Sequence, residues 1–320
     1  RIACAAGATD EDISQISFGY GLFTGALGLH YGLELIGSTI LPCSSGNTEK
    51  QVMLMKDFGT TLLVSTPSYA LYMAEVARDL GYTKQDFKLR LGLFGSEGCS
   101  DEMRTQIEEA WGLFATDNYG MSELIGPGVS GECRYREGMH IAEDHFLPEI
   151  IDSNTGDVLE AGATGELVIT TLTKEGFPVL RYRTKDITNL NYEPCACGRT
   201  MARMSKIIGR SDDMLKIRGV NVFPTQIESV LVSFPQIGAH YQLIVRREGF
   251  MDTLEVKVEL IDAKLLESYA ELEKLQKSIK AKLHSVLGID AKLSLVEPKS
   301  LERFAGKAKR IVDLRNQPNT

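Results

Sequence analysis

The first 130 residues alternate short apolar runs with segments of helical period. Ser38 to Pro42, Thr61 to Ser65 and Leu89 to Phe94 are apolar stretches of strand length bounded by turn residues, which predicts buried strands. Between them, Glu49 to Phe58, Tyr69 to Leu80 and Asp101 to Trp111 read as helices. Thr66-Pro67-Ser68 and Ser100 supply start signals for the last two. Strand–helix alternation of this kind predicts a parallel α/β sheet. Ligands of such sheets bind beyond the carboxyl ends of the strands. The loops at Thr66-Pro67-Ser68, Gly95-Ser96-Glu97-Gly98 and Tyr119-Gly120 are therefore candidate site segments.

The pattern changes over residues 131 to 208. Glu149 to Ile151, Gly165 to Thr171 and Asp186 to Leu190 read as strands, with Asn154-Thr155-Gly156 as a hairpin turn, and the region is expected to be a β-rich subdomain. A polar, charged stretch then follows, Gly209-Arg210-Ser211-Asp212-Asp213, running into a glycine-bearing β-like segment and a proline-started helix from Pro224 to Phe234. Such turns often mark domain junctions. Beyond it Gln242 to Arg246 reads as a strand. Thr253 to Ile261 alternates strictly, with Leu254, Val256, Val258 and Leu260 on one face and Glu255, Lys257 and Glu259 on the other, as in a half-buried strand. Apolar residues from Leu265 to Leu287 recur at helical spacing until Gly288, and Lys292 to Val296 is a last strand. The expected architecture is α/β: a parallel α/β sheet plus a β-rich subdomain within residues 1–211, and a small α+β domain over 212–320.

Composition adds limits. With 35 Lys and Arg against 43 Asp and Glu, the net charge is −8, which argues against a nucleic-acid polymer as partner. No apolar run reaches the roughly 18 residues of a membrane span, and no signal peptide is visible. Six cysteines in 320 residues are no disulfide scaffold, so the cytoplasm is the expected compartment. The chain starts at Arg1, and its first residues read as the middle of a fold. The expectation is that part of the N-terminal domain lies upstream.

Four segments carry candidate chemistry. They are Asn118-Tyr119-Gly120-Met121-Ser122-Glu123, Arg181-Tyr182-Arg183-Thr184-Lys185-Asp186, the junction at 209–228, and Gly306-Lys307-Ala308-Lys309-Arg310. Taken singly, the first is a loop, Asp186 a turn cap, Asp212-Asp213 a solvated pair, and Lys307 part of a solvated basic run. Together, in this order and spacing, they resemble the adenylate-forming acyl-CoA synthetase superfamily. Phe18 to Gly25, Thr66 to Tyr69 and Asn221-Val222-Phe223-Pro224 resemble its phenylacetate–CoA ligases, and the likeness runs over essentially the whole chain.

The resemblance implies two steps. A carboxylate attacks the α-phosphate of ATP, giving an acyl-adenylate and pyrophosphate. The thiol of coenzyme A then attacks the acyl carbon and releases AMP. On this basis Lys307 stabilises the charge between carboxylate and phosphate, and Glu123 holds Mg²⁺, a hard cation that favours oxygen. Asp186 holds the ribose hydroxyls, Arg210 supports the nucleotide, and Tyr119 stacks on adenine. Ser96, Glu97, Asn118, Gly120, Met121, Ser122 and Lys216 complete the nucleotide site, and coenzyme A passes Gly219. Asp212 is the hinge about which the small domain turns. Phe18, Tyr20 and Phe23 are candidates for the acid pocket, though aromatics at such positions are more often core. The implied partners are a small aryl carboxylic acid and coenzyme A, with a second copy of the chain as a candidate.

Cys133, His140, Cys195 and Cys197 form a separate set. Three soft thiolates and one imidazole in two polar loops suit a closed structural zinc site. His145 is a competing ligand, and the alternative is that these cysteines are small buried apolar residues. No Ser/Thr/Gly-rich phosphate loop of the kind that cradles phosphate with backbone N–H groups is found. Ser44 to Lys50 corresponds to a different family segment. The expectation is that residues 1–320 alone show weak or no ATP-dependent acyl-CoA formation. Two other readings stay open: an enzyme that passes the acyl group to a carrier protein, and a non-catalytic, zinc-bearing nucleotide binder.

Overall fold

The computed structural model describes residues 1–320 apart from 22, 212–214, 219, 249–250, 267, 304–309 and 316–320, and leaves the side chains of Lys216, Asn221 and Glu248 undescribed. The bulk of one compact unit lies within residues 1–211, and the bulk of a second within 212–320.

The first unit opens with α1 (Ile2–Ala6), β1 (Ile13–Ile16), α2 (Thr24–Ile36), β2 (Thr39–Leu41), α3 (Thr48–Asp57) and β3 (Leu62–Ser65). It continues with α4 (Pro67–Asp79), β4 (Leu91–Gly95), α5 (Asp101–Trp111) and β5 (Phe114–Met121). The strands lie in the order β2-β1-β3-β4-β5, each parallel to its neighbour. Every residue of β3 and β4 is buried, as strands must be when crossover helices cover the sheet. The start signal of α4 works as its sequence implies. The Thr66 hydroxyl accepts from the Tyr69 N–H at 3.2 Å, and Pro67 occupies the first turn, where no N–H is missed. At the far end of α5, the indole N–H of buried Trp111 donates to the Ala70 carbonyl at 3.0 Å, tying α5 to α4.

The sheet then changes character. β6 (Gly126–Glu132) and β7 (Met139–Ile141) add to it antiparallel. The chain leaves to form β8 (Phe146–Ile151), β9 (Gly165–Thr171) and β10 (Tyr182–Thr188). It returns for β11 (Leu190–Asn191) and β12 (Arg203–Met204) before β13 (Gly209–Arg210). The result is a nine-stranded sheet, β11-β12-β7-β6-β5-β4-β3-β1-β2, and a separate four-stranded antiparallel sheet, β13-β10-β9-β8. Residues 131–208 are β-rich as expected, and β8, β9 and β10 with β13 form the separate sheet, but not every strand of the region belongs to it. β7, β11 and β12 lengthen the α/β sheet, and strands of two or three residues carry no alternation that would show which sheet they join. The expected strand Asp186 to Leu190 also differs. It begins at Tyr182 and stops at Thr188, with a register shift between Arg183 and Ile187 where Lys185 takes φ 69°. A bulge breaks the period-two pattern that the eye follows. Buried Glu166 anchors this charged strand by accepting from Arg183 at 2.6 Å.

The second unit contains the hairpin β14 (Leu215–Ile217) and β15 (Val220–Val222), then α6 (Pro224–Val232), β16 (Ile237–Glu248), β17 (Met251–Leu260), α7 (Tyr269–Leu287), β18 (Lys292–Val296) and β19 (Ile311–Asp313). Its sheet runs β18-β17-β16-β19, with β16 and β17 antiparallel and the outer pairs parallel. Leu254, Val256, Val258 and Leu260 are buried at alternate positions of β17. They pack with Ile279, Leu283 and Leu287, four residues apart on α7. One polar position breaks the alternation. Glu259 is buried; it accepts from the backbone N–H groups of Lys299 and Leu301, at 3.0 and 2.6 Å, and from the Arg303 guanidinium at 2.8 Å. Burial pushes its carboxyl up, but the Arg303 and Leu301 bonds outweigh that and hold it below the ordinary range. No helix among the described residues is long and apolar enough to cross a membrane.

Candidate functional site

β4 and β5 end side by side, with Gly95 in register with Asn118. A Cβ at Gly95 would sit 2.4 Å from the Asn118 carbonyl oxygen, so only glycine allows this approach. The Asn118 amide donates to the Phe94 carbonyl at 2.5 Å, and Ser96 turns away with φ 72°. Beyond the bulge at Tyr119/Gly120, a Cβ on Gly120 would meet the Gly126 carbonyl at 1.8 Å. The segment read as a turn is therefore strand up to Met121, with the turn itself at 122–125.

A cavity of about 130 Å³ opens at these strand ends. Ser96, Asn118, Gly120, Met121 and Ser122 form one side. Phe18, Phe23, Thr24 and Gly25, with Gly126 and Pro127, form the other. Phe18 and Phe23 meet edge to face at 5.5 Å, the arrangement ring quadrupoles favour, and Thr24 and Ser122 hydroxyls bridge the mouth at 3.1 Å. Tyr20 is not in the lining. Its hydroxyl instead pairs with His30 Nδ1 at 2.9 Å.

Next to this strand end lies a charged cluster. The Tyr119 hydroxyl donates to Asp186 Oδ2 at 2.6 Å, and Arg210 Nη1 donates to Asp186 Oδ1 at 3.1 Å. Burial and the Asp186 charge push the Tyr119 phenol well above its ordinary value, so it stays a donor. Strands β5, β10 and β13 bring the three together from positions 67 and 24 residues apart. Glu97 is placed differently: it accepts from the Ser68 N–H at 2.7 Å, at the start of α4. Glu123 is exposed in the turn, its carbonyl accepting from Lys174 at 2.7 Å.

Beneath β5 sits a buried group that no sequence pattern reveals. Arg104 pairs with Glu132 at 2.9 Å, and Glu132 also accepts from the Asp117 N–H at 2.8 Å. Burial, and then the Glu132 charge, push the Asp117 carboxyl up to about 7. Away from the cavity lining, the side chains of Cys133, His140, Cys195 and Cys197 converge, with all four ligand atoms within 4.8 Å of one another.

Comparison with known proteins gives these features a family. An AMP-binding enzyme domain matches residues 15–173, and an AMP-binding enzyme C-terminal domain matches 219–315. The phenylacetate–coenzyme A ligase of Thermus thermophilus is 46% identical over 329 residues, 98% of this chain and 74% of that one. The chain belongs to the phenylacetate–coenzyme A ligase family of AMP-binding enzymes. The Escherichia coli K12 ligase agrees, at 46% identity over 98% of this chain and 71% of its own. Among solved structures, a 2-hydroxyisobutyryl-CoA ligase in its postadenylation state, bound to the adenylate R3-HIB-AMP, matches with TM-score 0.92 and 28% identity over 98% of this chain and 68% of that one.

Within this ligase-family fold, the residues expected from sequence fall into groups. Phe18, Phe23, Ser96, Asn118, Gly120, Met121 and Ser122 meet in one cavity, and Tyr119, Asp186 and Arg210 in one hydrogen-bonded cluster. Lys307, Asp212, Gly219 and the Lys216 side chain lie outside the described residues. Thr24 and Pro127 were missed because neither type suggests chemistry. Arg104, Asp117 and Glu132 were missed because their pairing spans β5, β6 and α5 with no local signature.

Proposed function

We propose that this chain supplies the acid, adenylate and coenzyme A sites of an enzyme that ligates an aryl carboxylic acid of the phenylacetate type to coenzyme A through an acyl-adenylate, at the expense of ATP. One observation carries the site assignment. The cavity and the Tyr119–Asp186–Arg210 cluster flank the same end of β5, where parallel α/β sheets bind their ligands. In this reading the acid's ring lies against Phe18 and Phe23, and its carboxylate faces the glycine-lined strand end. Asp186 accepts from the ribose hydroxyls, oriented by Tyr119 and Arg210. Tyr119 keeps its hydroxyl on Asp186 while its ring face meets adenine.

In the first step a carboxylate oxygen of the acid forms a bond to the α-phosphorus as the bond to pyrophosphate breaks. Little covalent chemistry falls to the protein, so positioning and charge stabilisation dominate. Lys307 supplies that charge. Glu123, exposed beside Ser122, would hold Mg²⁺, a hard cation that takes oxygen ligands and would neutralise phosphate charge. In the second step the sulfur of coenzyme A bonds to the acyl carbon, its proton passes to solvent, and AMP leaves. Residues 212–320 act as a lid turning at Asp212, which withdraws Lys307 between the steps and brings coenzyme A past Gly219. Lys216 of the hairpin lies on the same lid.

The test is the second half-reaction, which needs no ATP. Supplied with phenylacetyl-adenylate and coenzyme A, the protein should yield phenylacetyl-CoA and AMP by mass spectrometry. Hydrolysis of the adenylate with no thioester would defeat the reading. Faster turnover with an aliphatic acyl-adenylate would move the substrate class.

A further inference from the structure

We propose that Cys133, His140, Cys195 and Cys197 bind one structural zinc ion. The donor set is three thiols and an imidazole, the soft-to-borderline set that tetrahedral zinc takes. The geometry agrees in detail. With Zn–S near 2.3 Å and Zn–N near 2.05 Å, tetrahedral angles place two sulfurs about 3.8 Å apart and a sulfur and a nitrogen about 3.5 Å apart. Cys133 Sγ lies 3.8 Å from Cys195 Sγ, and Cys197 Sγ lies 3.4 Å from His140 Nε2. All four atoms fit within 4.8 Å, the span of a single ion's ligands and too tight for an iron–sulfur cluster.

The competing ligand is elsewhere: His145 is half-buried, bonded through Nδ1 to the Thr173 hydroxyl at 2.6 Å. Cys4, Cys43 and Cys99 are also outside the cluster. Three thiolates and a neutral imidazole leave a zinc complex with a net charge of −1. Arg199 lies against Cys197, and both Arg199 and Arg203 act on His140.

The place in the fold explains what the ion does. Cys133 follows β6, His140 is the middle residue of β7, and Cys195 and Cys197 lie in the connection from β11 to β12. β7, β11 and β12 have three, two and two residues, too few to hold a sheet edge by pairing alone. One ion would clip these segments together, and Ala5 of α1 packs against Cys133 and Cys195 on top of it. Four protein ligands leave no open coordination position, so the ion is structural and not catalytic. This assignment is independent of the ligase reading, since no ligand residue lines the cavity.

Metal analysis of the whole chain, expressed in zinc-supplemented medium and purified without chelator, tests it. The expected result is one zinc per chain, and a colourless protein. Stripping with a strong chelator should make three further thiols reactive to a disulfide reagent and lower the melting temperature, and added zinc should reverse both. Cys195→Ser/Cys197→Ser should lose the metal, whereas His140→Cys should keep it. A zinc ratio near zero in the wild-type protein, full zinc in the double-serine variant, or iron with a visible chromophore would each overturn the proposal.

Discussion

Asp117→Asn should remove a pH dependence of stability that the wild-type protein carries. Asp117 is 8% exposed on β5, and burial together with the nearby Glu132 charge pushes its carboxyl up to about 7 from an ordinary 3.8. The unfolded chain releases this proton near pH 4 and the folded chain near pH 7. Between those values the folded state holds more protons, so stability falls as pH rises through the window and levels off above it. A shift of about three units, at about 1.4 kcal/mol each, sets a ceiling of about 4 kcal/mol. Asp12 and Glu166 run the opposite way, because hydrogen bonds from Thr61 and Arg90, and from Arg183, outweigh burial and hold them low. The raw pH profile is therefore composite, and the difference between wild type and Asp117→Asn isolates the one group. Urea unfolding followed by fluorescence suits this, since Trp111 is the only tryptophan of the sequence and is buried in the same unit. The variant should gain roughly 2–4 kcal/mol on the wild type between pH 4 and pH 8. A difference that stays constant within about 0.5 kcal/mol across that range would refute the reasoning.

Other substitutions probe the site and the second unit. Gly120→Ala places a Cβ 1.8 Å from a backbone carbonyl that cannot yield, and should part β5 from β6 at a cost of at least ~2 kcal/mol, read by urea unfolding; an unchanged midpoint would contradict this. Tyr119→Phe removes a hydrogen bond to a carboxylate and should cost about 1.5–3 kcal/mol, shared between stability and adenylate affinity; a variant equal to wild type in both would show that the bond is idle. Glu259→Gln leaves the Arg303 charge without its buried partner, and should destabilise the second unit by about 3–5 kcal/mol. Hydrogen exchange at Lys299 and Leu301 would show it as lost protection, and unaltered exchange would argue against Glu259 as the anchor of that segment.

What the sequence revealed followed from how local each signal was. Strands β3, β9, β17 and β18 and helices α3, α4, α5 and α7 were legible because apolar period, caps and terminal glycine agree within each segment. Helix α2 was not, because Gly25, Gly28 and Gly32 weaken its helical pattern and its start at Phe23 has no side-chain cap. The short strands β7, β11 and β12 were invisible since two or three residues hold no pattern. Glu259 was read as solvent-facing from alternation alone, and only its partners forty residues on explain why it is buried. The cavity residues Ser96 and Gly120 could be located because strand–helix alternation says where strands end, and Asn118 through the family resemblance of its segment. The Tyr119–Asp186 hydrogen bond could not, since it depends on how two sheets meet.

The central claim is that the end of β5, with Asp186 beside it, is an acyl-adenylate site. Calorimetric titration of the protein with a non-hydrolysable phenylacetyl-adenylate analogue addresses it without relying on turnover. The account predicts one site per chain, with affinity reduced at least tenfold by Asp186→Asn, equivalent to about 1.4 kcal/mol. No saturable binding to the wild-type protein, or equal binding to the Asp186→Asn variant, would contradict it.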